Sequence, residues 1–65
     1  MNLYQIRYFV TLARKEHYRL AAQELGITQP SLTHAIQALE QELGVPLFQK
    51  EGRGVVLNRY GKRCV

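Results

Sequence analysis

No aspartate occurs anywhere in the chain, cysteine occurs once, as Cys64, and no apolar run approaches the roughly 18 residues of a membrane span. A lone cysteine excludes an internal disulfide, and with no second cysteine nearby it fits neither a zinc nor a redox pattern. The N-terminus lacks the apolar segment of a signal peptide, so a reducing cytoplasmic setting is expected. His17 and His34 stand on different segments with no cysteine or carboxylate placed to partner them. No glycine-rich loop leads from a strand into a helix. These gaps leave no catalytic constellation, no metal set and no phosphate cradle, and point away from an enzyme and from a cofactor. Internal repeats and low-complexity segments are also missing.

What is present is enough for one small domain. A chain of 65 residues buries only about 60% of the surface it exposes when unfolded, so its core must be small. With 46% apolar residues and clear periodicity, it nonetheless reads as folded. The formal charge of +4 is unevenly placed. Through residue 49, Arg7, Arg14, Lys15 and Arg19 are balanced by Glu16, Glu24, Glu40 and Glu42. Beyond it, Lys50, Arg53, Arg59, Lys62 and Arg63 face Glu51 alone. A basic segment on a neutral body is what a phosphate-contacting protein shows, and also what a solvated basic tail shows.

Periodicity predicts three helices. In "NLYQIRYFVTLARKEH" the residues Leu3, Ile6, Phe9, Val10 and Ala13 recur at helical spacing, with Asn2 as cap and Gln5 completing a capping box. "YRLAAQELG" sets Ala21, Ala22 and Leu25 on one side and stops at Gly26. Small side chains there let another helix approach closely. Only Ile27 then precedes Thr28, a good cap, and Pro30 falls in the first turn, where its missing N–H costs nothing. The third helix, predicted over 29–43, carries Leu32, Ile36, Leu39 and Leu43 as its buried stripe. Its other face is Gln29, Ser31, Thr33, His34, Gln37 and Gln41, without a single Lys or Arg.

After Pro46 the pattern changes to two short runs, "PLFQK" and "GVVLN", around "EGRG", which predicts a hairpin with Arg53 exposed at its tip. Asn58 can cap a short final helix that Gly61 weakens.

Two helices joined by a tight glycine turn, braced by a first helix and followed by a hairpin, describe a winged helix-turn-helix of mainly α class. It has three helices, a two-stranded β wing and the start of a further helix. The neutral polar face suits base edges in a major groove, because Gln pairs with adenine and Ser or Thr donates and accepts. Each residue also has an ordinary role: Ser31 can supplement the helix cap, and His34 can be a solvated surface histidine. A generic helix-packing motif shares the turn.

The runs "LYQIRYFVTLA", "AAQELGITQPSLTHAIQALEQELGVPLF" and "GRGVVLN", with Gly61 beyond them, resemble the N-terminal DNA-binding domain of the LysR-type transcriptional regulators over essentially the whole chain. The resemblance implies a bacterial regulator that binds operator DNA as a homodimer or homotetramer, as part of a longer protein whose C-terminal domain takes a small-molecule effector. It implies a DNA-binding domain over 1–57 and the start of a linker and dimerisation helix over 58–65. It implies major-groove contact by Gln29, Pro30, Ser31, Thr33, His34 and Gln37 and minor-groove contact by the wing residue Arg53. Lys50 and Arg19 are expected to contribute electrostatic grip. Many members carry Arg where His34 stands and a basic residue where Gln37 stands, which here points toward A·T-containing half-sites. The isolated module is expected to bind weakly, lacking a linked second reader. Cytoplasmic location, nucleoid-associated when bound to DNA, follows from that reading.

The rival from another class is a winged-helix module that docks a protein. Its anchor should be apolar, and the outer face of the third helix offers none. Tyr4, Tyr8 and Leu12 on the first helix either form a secondary protein-facing patch or pack in the core.

Overall fold

The computed structural model describes the backbone of residues 2–64 and side chains as far as residue 63. In chain order the elements are α1 (Leu3–Lys15), α2 (Tyr18–Leu25), α3 (Gln29–Leu43), β1 (Phe48–Glu51), β2 (Gly54–Leu57) and α4 (Arg59–Cys64). The helices and the two-stranded antiparallel sheet form the winged helix-turn-helix that the spacing predicts. Each start is fixed locally by a side chain. Asn2 accepts from the Gln5 amide at 2.8 Å while the Gln5 side chain accepts from the Asn2 amide at 3.1 Å, so the predicted capping box is formed. His17 caps α2 through Nδ1, which accepts from the Leu20 amide at 3.4 Å. Thr28 caps α3. Gly26, at φ +71°, ends α2 in the left-handed conformation that lets α3 restart at once.

The core is Phe9, Leu12, Ala21, Ala22, Leu32, Ile36, Leu39 and Leu47. Ala21 and Ala22, both buried, are the small inner face of α2 against its neighbours. Packing departs from the apolar spacing of the sequence at two places. On α1, Leu3, Ile6 and Val10 lie outside the core, with Leu3 83% and Val10 53% exposed. The inward arc is instead Phe9 and Leu12, with Tyr8 packed against it. This helix is apolar on two adjoining arcs that share Phe9, so periodicity alone cannot choose between them. Leu12 is therefore a core residue, and of the suggested outward patch only Tyr4 is exposed. On α3, Leu43 is 37% exposed. Gly44 (φ +77°) ends the helix there, and Leu47, coming back after Pro46, fills the core position.

The α1–α2 junction is tied by charge. Arg14 pairs with Glu24, and Lys15 reaches the same carboxylate at 3.2 Å. Hydrogen bonds from these two cations hold the Glu24 carboxyl below its usual 4.5. A depressed acid stabilises the fold above its unfolded value and loses that contribution as pH falls through the folded one. Glu24→Gln is therefore expected to cost a little stability at neutral pH and nothing at the acid end, well below pH 4.5. Thermal melts of both chains across that range check this; the effect is small because the group is solvent-screened.

Candidate nucleic-acid interface

The polar face of α3 begins at its cap. The Thr28 hydroxyl accepts from the Ser31 amide at 3.2 Å and donates to Ser31 Oγ at 2.8 Å. Ser31 thus supplements the cap, and its own hydroxyl proton is left to donate outward. Pro30 sits within the first helical positions, where no intrahelical donor is lost. The first turn contains no acidic residue. The partial positive charge of the helix N-terminus is therefore unopposed locally.

Of the six helix residues expected to read bases, five line one shallow groove: Gln29, Pro30, Thr33, His34 and Gln37. Ser31 stands at its edge, bound into the cap. The side chains of Gln29, His34 and Gln37 are exposed and make no hydrogen bond among the described residues. A second hollow, lined by Gln37, Glu40, Gln41, Gly44, Val45 and Pro46, continues from it toward the start of the wing. Gln37 belongs to both, so the two hollows adjoin.

The hairpin pairs Phe48 with Leu57, Gln49 with Val56, Lys50 with Val55 and Glu51 with Gly54. Gly52 has φ +59° and Arg53 does not share the positive φ, the pattern of a type II′ turn, which suits the twist of a two-stranded ribbon. Arg53 is exposed at that tip. Phe48 packs against Phe9 with ring centroids 5.6 Å apart, seating the root of the wing on the core. Lys50 shares the face of Phe48 but is exposed. Arg19 is exposed in the first turn of α2. These three cations stand on three separate places, the tip, β1 and α2, outside the α3 groove. Arg14 and Lys15 are engaged with Glu24.

Burial, reinforced by the charge of Glu40, raises the Tyr18 phenol above its ordinary 10.0, so it remains a neutral hydroxyl on the α2 side of α3. No cluster of three or more His, Cys, Asp or Glu suited to a metal occurs among the described residues. No helix among them is long and apolar enough to cross a membrane.

Sequence reasoning passed over the part that Glu40 plays at this surface, and of Asn58 it saw the helix cap, which is formed, but not the contact with Pro46. Glu40 Oε2 accepts from the Leu47 amide at 2.7 Å, and Asn58 donates to the Pro46 carbonyl at 2.8 Å. The sequence signal for these two contacts was the Pro46 break, which implies a tight return needing partners for its backbone.

Comparison with known proteins places this arrangement. Residues 3–62 match the family described as bacterial regulatory helix-turn-helix protein, lysR family. The chain is similar to the HTH-type transcriptional regulator YybE of Bacillus subtilis, 52% identical over 61 residues covering 94% of this chain and 21% of that protein. It is similar to BudR of Klebsiella aerogenes, 48% identical over 62 residues covering 95% of this chain and 43% of that one. Among solved structures it resembles the CbnR DNA-binding domain in complex with DNA, with a TM-score of 0.93 at 36% identity over 98% of this chain and 74% of that chain. The chain thus spans between 21% and 43% of the length of these two relatives. A match over nearly every residue, in sequence and in fold alike, means that this chain belongs to the lysR family of bacterial regulatory helix-turn-helix proteins.

Proposed function

We propose that the chain reads operator DNA, with α3 in the major groove and the wing at the adjacent minor groove. The observation that carries this is the groove of Gln29, Pro30, Thr33, His34 and Gln37. It is a neutral hydrogen-bonding surface at a capped helix N-terminus, with no partner among the described residues consuming its Gln and His side chains. The CbnR structure that shares this fold is itself a DNA complex. Gln29, Ser31, Thr33, His34 and Gln37 supply hydrogen bonds to base edges, and Pro30 packs against a thymine methyl. Arg53 enters the minor groove, while Lys50 and Arg19 hold phosphates. Gln at two groove positions and His where Arg is frequent favour adenine-containing half-sites.

The reading extends to the whole regulator. Residues 1–57 are the reader and 58–65 the start of a linker helix, the two terminal residues of these ranges lying outside the described residues. The full protein is a homodimer or homotetramer that joins two readers on one operator, and a small effector acts on a separate C-terminal domain. The module needs no cofactor and catalyses no reaction, and it works in the cytoplasm on the nucleoid.

Titrating the 65-residue chain against a mixed duplex library at two salt concentrations tests the core of this. Binding should weaken steeply with salt, as counterions released from phosphates require. Salt-insensitive binding, or none at low salt, would instead favour a protein-docking module. Selection with His34→Ala and Gln37→Ala should change the preferred base at individual operator positions, each contact being worth about 1–3 kcal/mol of discrimination. An unchanged preference at every position sinks the assignment of those residues. Arg53→Ala should weaken binding to nearly all sequences alike, because a minor-groove arginine senses width and potential more than base identity.

A further inference from the structure

We infer that Asn58 and Glu40 are positioning residues for DNA binding: they clasp the root of the wing to α3 and α4 and thereby aim Arg53. The inference rests on the proposed minor-groove contact of Arg53.

A hairpin of two four-residue strands has little stability of its own, and no third strand pairs with it among the described residues. Its direction relative to α3 comes from anchors to the rest of the fold: toward the tip the Val55 amide donates to the Glu16 carbonyl at 3.0 Å, and at the root a set of hydrogen bonds ties it to α3 and α4. Leu47, just before β1, is fully buried. Its amide donates to Glu40 Oε2 at 2.7 Å, a hydrogen bond to a carboxylate from a helix three residues beyond Gln37. Its carbonyl accepts from the Asn58 amide, just after β2, at 2.9 Å. The Asn58 side chain uses both ends: Nδ2 donates to the Pro46 carbonyl at 2.8 Å and Oδ1 accepts from the Gly61 amide at 2.9 Å. Only one orientation of the amide satisfies both partners, since a carbonyl cannot donate and an N–H cannot accept. At Gly61 any Cβ would collide with the Leu47 carbonyl oxygen and with Leu57 Cδ2, so α4 lies directly on the strand root. One residue thus caps α4, closes the hairpin and meets the return from α3, where Glu40 secures the other side.

A purely structural role would change stability and leave the wing's share of binding intact. A positioning role predicts that Arg53 loses its value when the clasp opens, which a double-mutant cycle reads directly. Asn58→Ser is the informative variant: its hydroxyl oxygen still caps Gly61, it adds no charge, and it has no amide to reach Pro46. In the unaltered chain Arg53→Ala should weaken binding to a fixed duplex by roughly tenfold; in the Asn58→Ser chain the same change should cost less than about threefold. Glu40→Ala should behave like Asn58→Ser, whereas Glu40→Gln, whose carbonyl oxygen still accepts from Leu47, should retain the full Arg53 effect. Gln29→Ala should cost the same in every background, because α3 is not displaced. Circular dichroism confirms that each variant is folded at the temperature used, and Asn58→Ser decides the matter if Glu40→Ala does not fold. An Arg53→Ala cost unchanged by Asn58→Ser overturns the inference and leaves the wing contact standing. A silent Arg53→Ala in the unaltered chain overturns the wing contact and this inference with it.

Discussion

Replacing Leu12 with alanine is expected to lower the unfolding free energy by about 2–5 kcal/mol, the range for emptying a fully enclosed leucine site. For 65 residues the whole stability is of order 3–10 kcal/mol, so the variant should be largely unfolded or close to it at physiological temperature. Leu12 has no exposed surface and lies among Phe9, Ala22 and the α3 leucines in one cluster. Few neighbours in so small a core can move inward to fill the space. Val10, two residues earlier and 53% exposed, makes the contrast. Val10→Ala should shift stability by no more than about 0.5 kcal/mol, since it removes little buried surface and gains helix propensity. Urea melts of the two variants, compared at equal slope, give both numbers. Equal losses would mean that α1 turns its other arc inward.

The second large effect is expected at Gly54. A Cβ there would run into the Glu16 carbonyl oxygen, which also accepts the Val55 amide at 3.0 Å. Both partners are backbone, and Glu16 is itself held at φ +56° as the left-handed cap of α1, its own amide bound to Leu12 at 2.8 Å. Neither side can swing away as a side-chain tip would. Gly54→Ala should cost about 1–3 kcal/mol through overpacking, together with roughly 1 kcal/mol for the lost hydrogen bond. Because Arg53 adjoins the displaced residue, DNA affinity should fall at least as far as in Arg53→Ala, and adding Arg53→Ala should change it little more. Amide exchange at Val55, faster by the same free energy, would locate the damage; normal protection there with normal affinity would refute the account.

These two sites show what a linear reading can and cannot supply. The helix starts at Asn2, Thr28 and Asn58, the stop at Gly26, and the third helix over Gln29–Leu43 were legible because each depends on chemistry within a few residues. The hairpin was legible from the change of period and the glycines flanking Arg53. The polar face was legible too, since a helix whose outer side is polar and free of charge over its first three turns has few uses. What remained hidden required knowing which elements meet. Leu12 and Val10 are equally apolar, and only packing against α2 and α3 separates them. Leu47 takes the place assigned to Leu43 because Gly44 and Pro46 turn the chain back, a path with no periodic signature. Gly61 reads as a weak point in a short helix; in the fold it is the only residue type that fits over the Leu47 carbonyl. Glu40 reads as one more surface acid, yet it serves the Leu47 amide from seven residues away.

The way α3 is held has an evolutionary consequence. Its phase is set by Thr28 and by the inward leucines and isoleucine, whereas Gln29, His34 and Gln37 take no part in cap, core or ion pair. Mutation at those three positions carries almost no penalty in foldability, so drift can sample new side chains there while the scaffold stays intact. On the proposed reading, in which these three side chains meet base edges, substitution there shifts the preferred base position by position while the shape of the domain is kept.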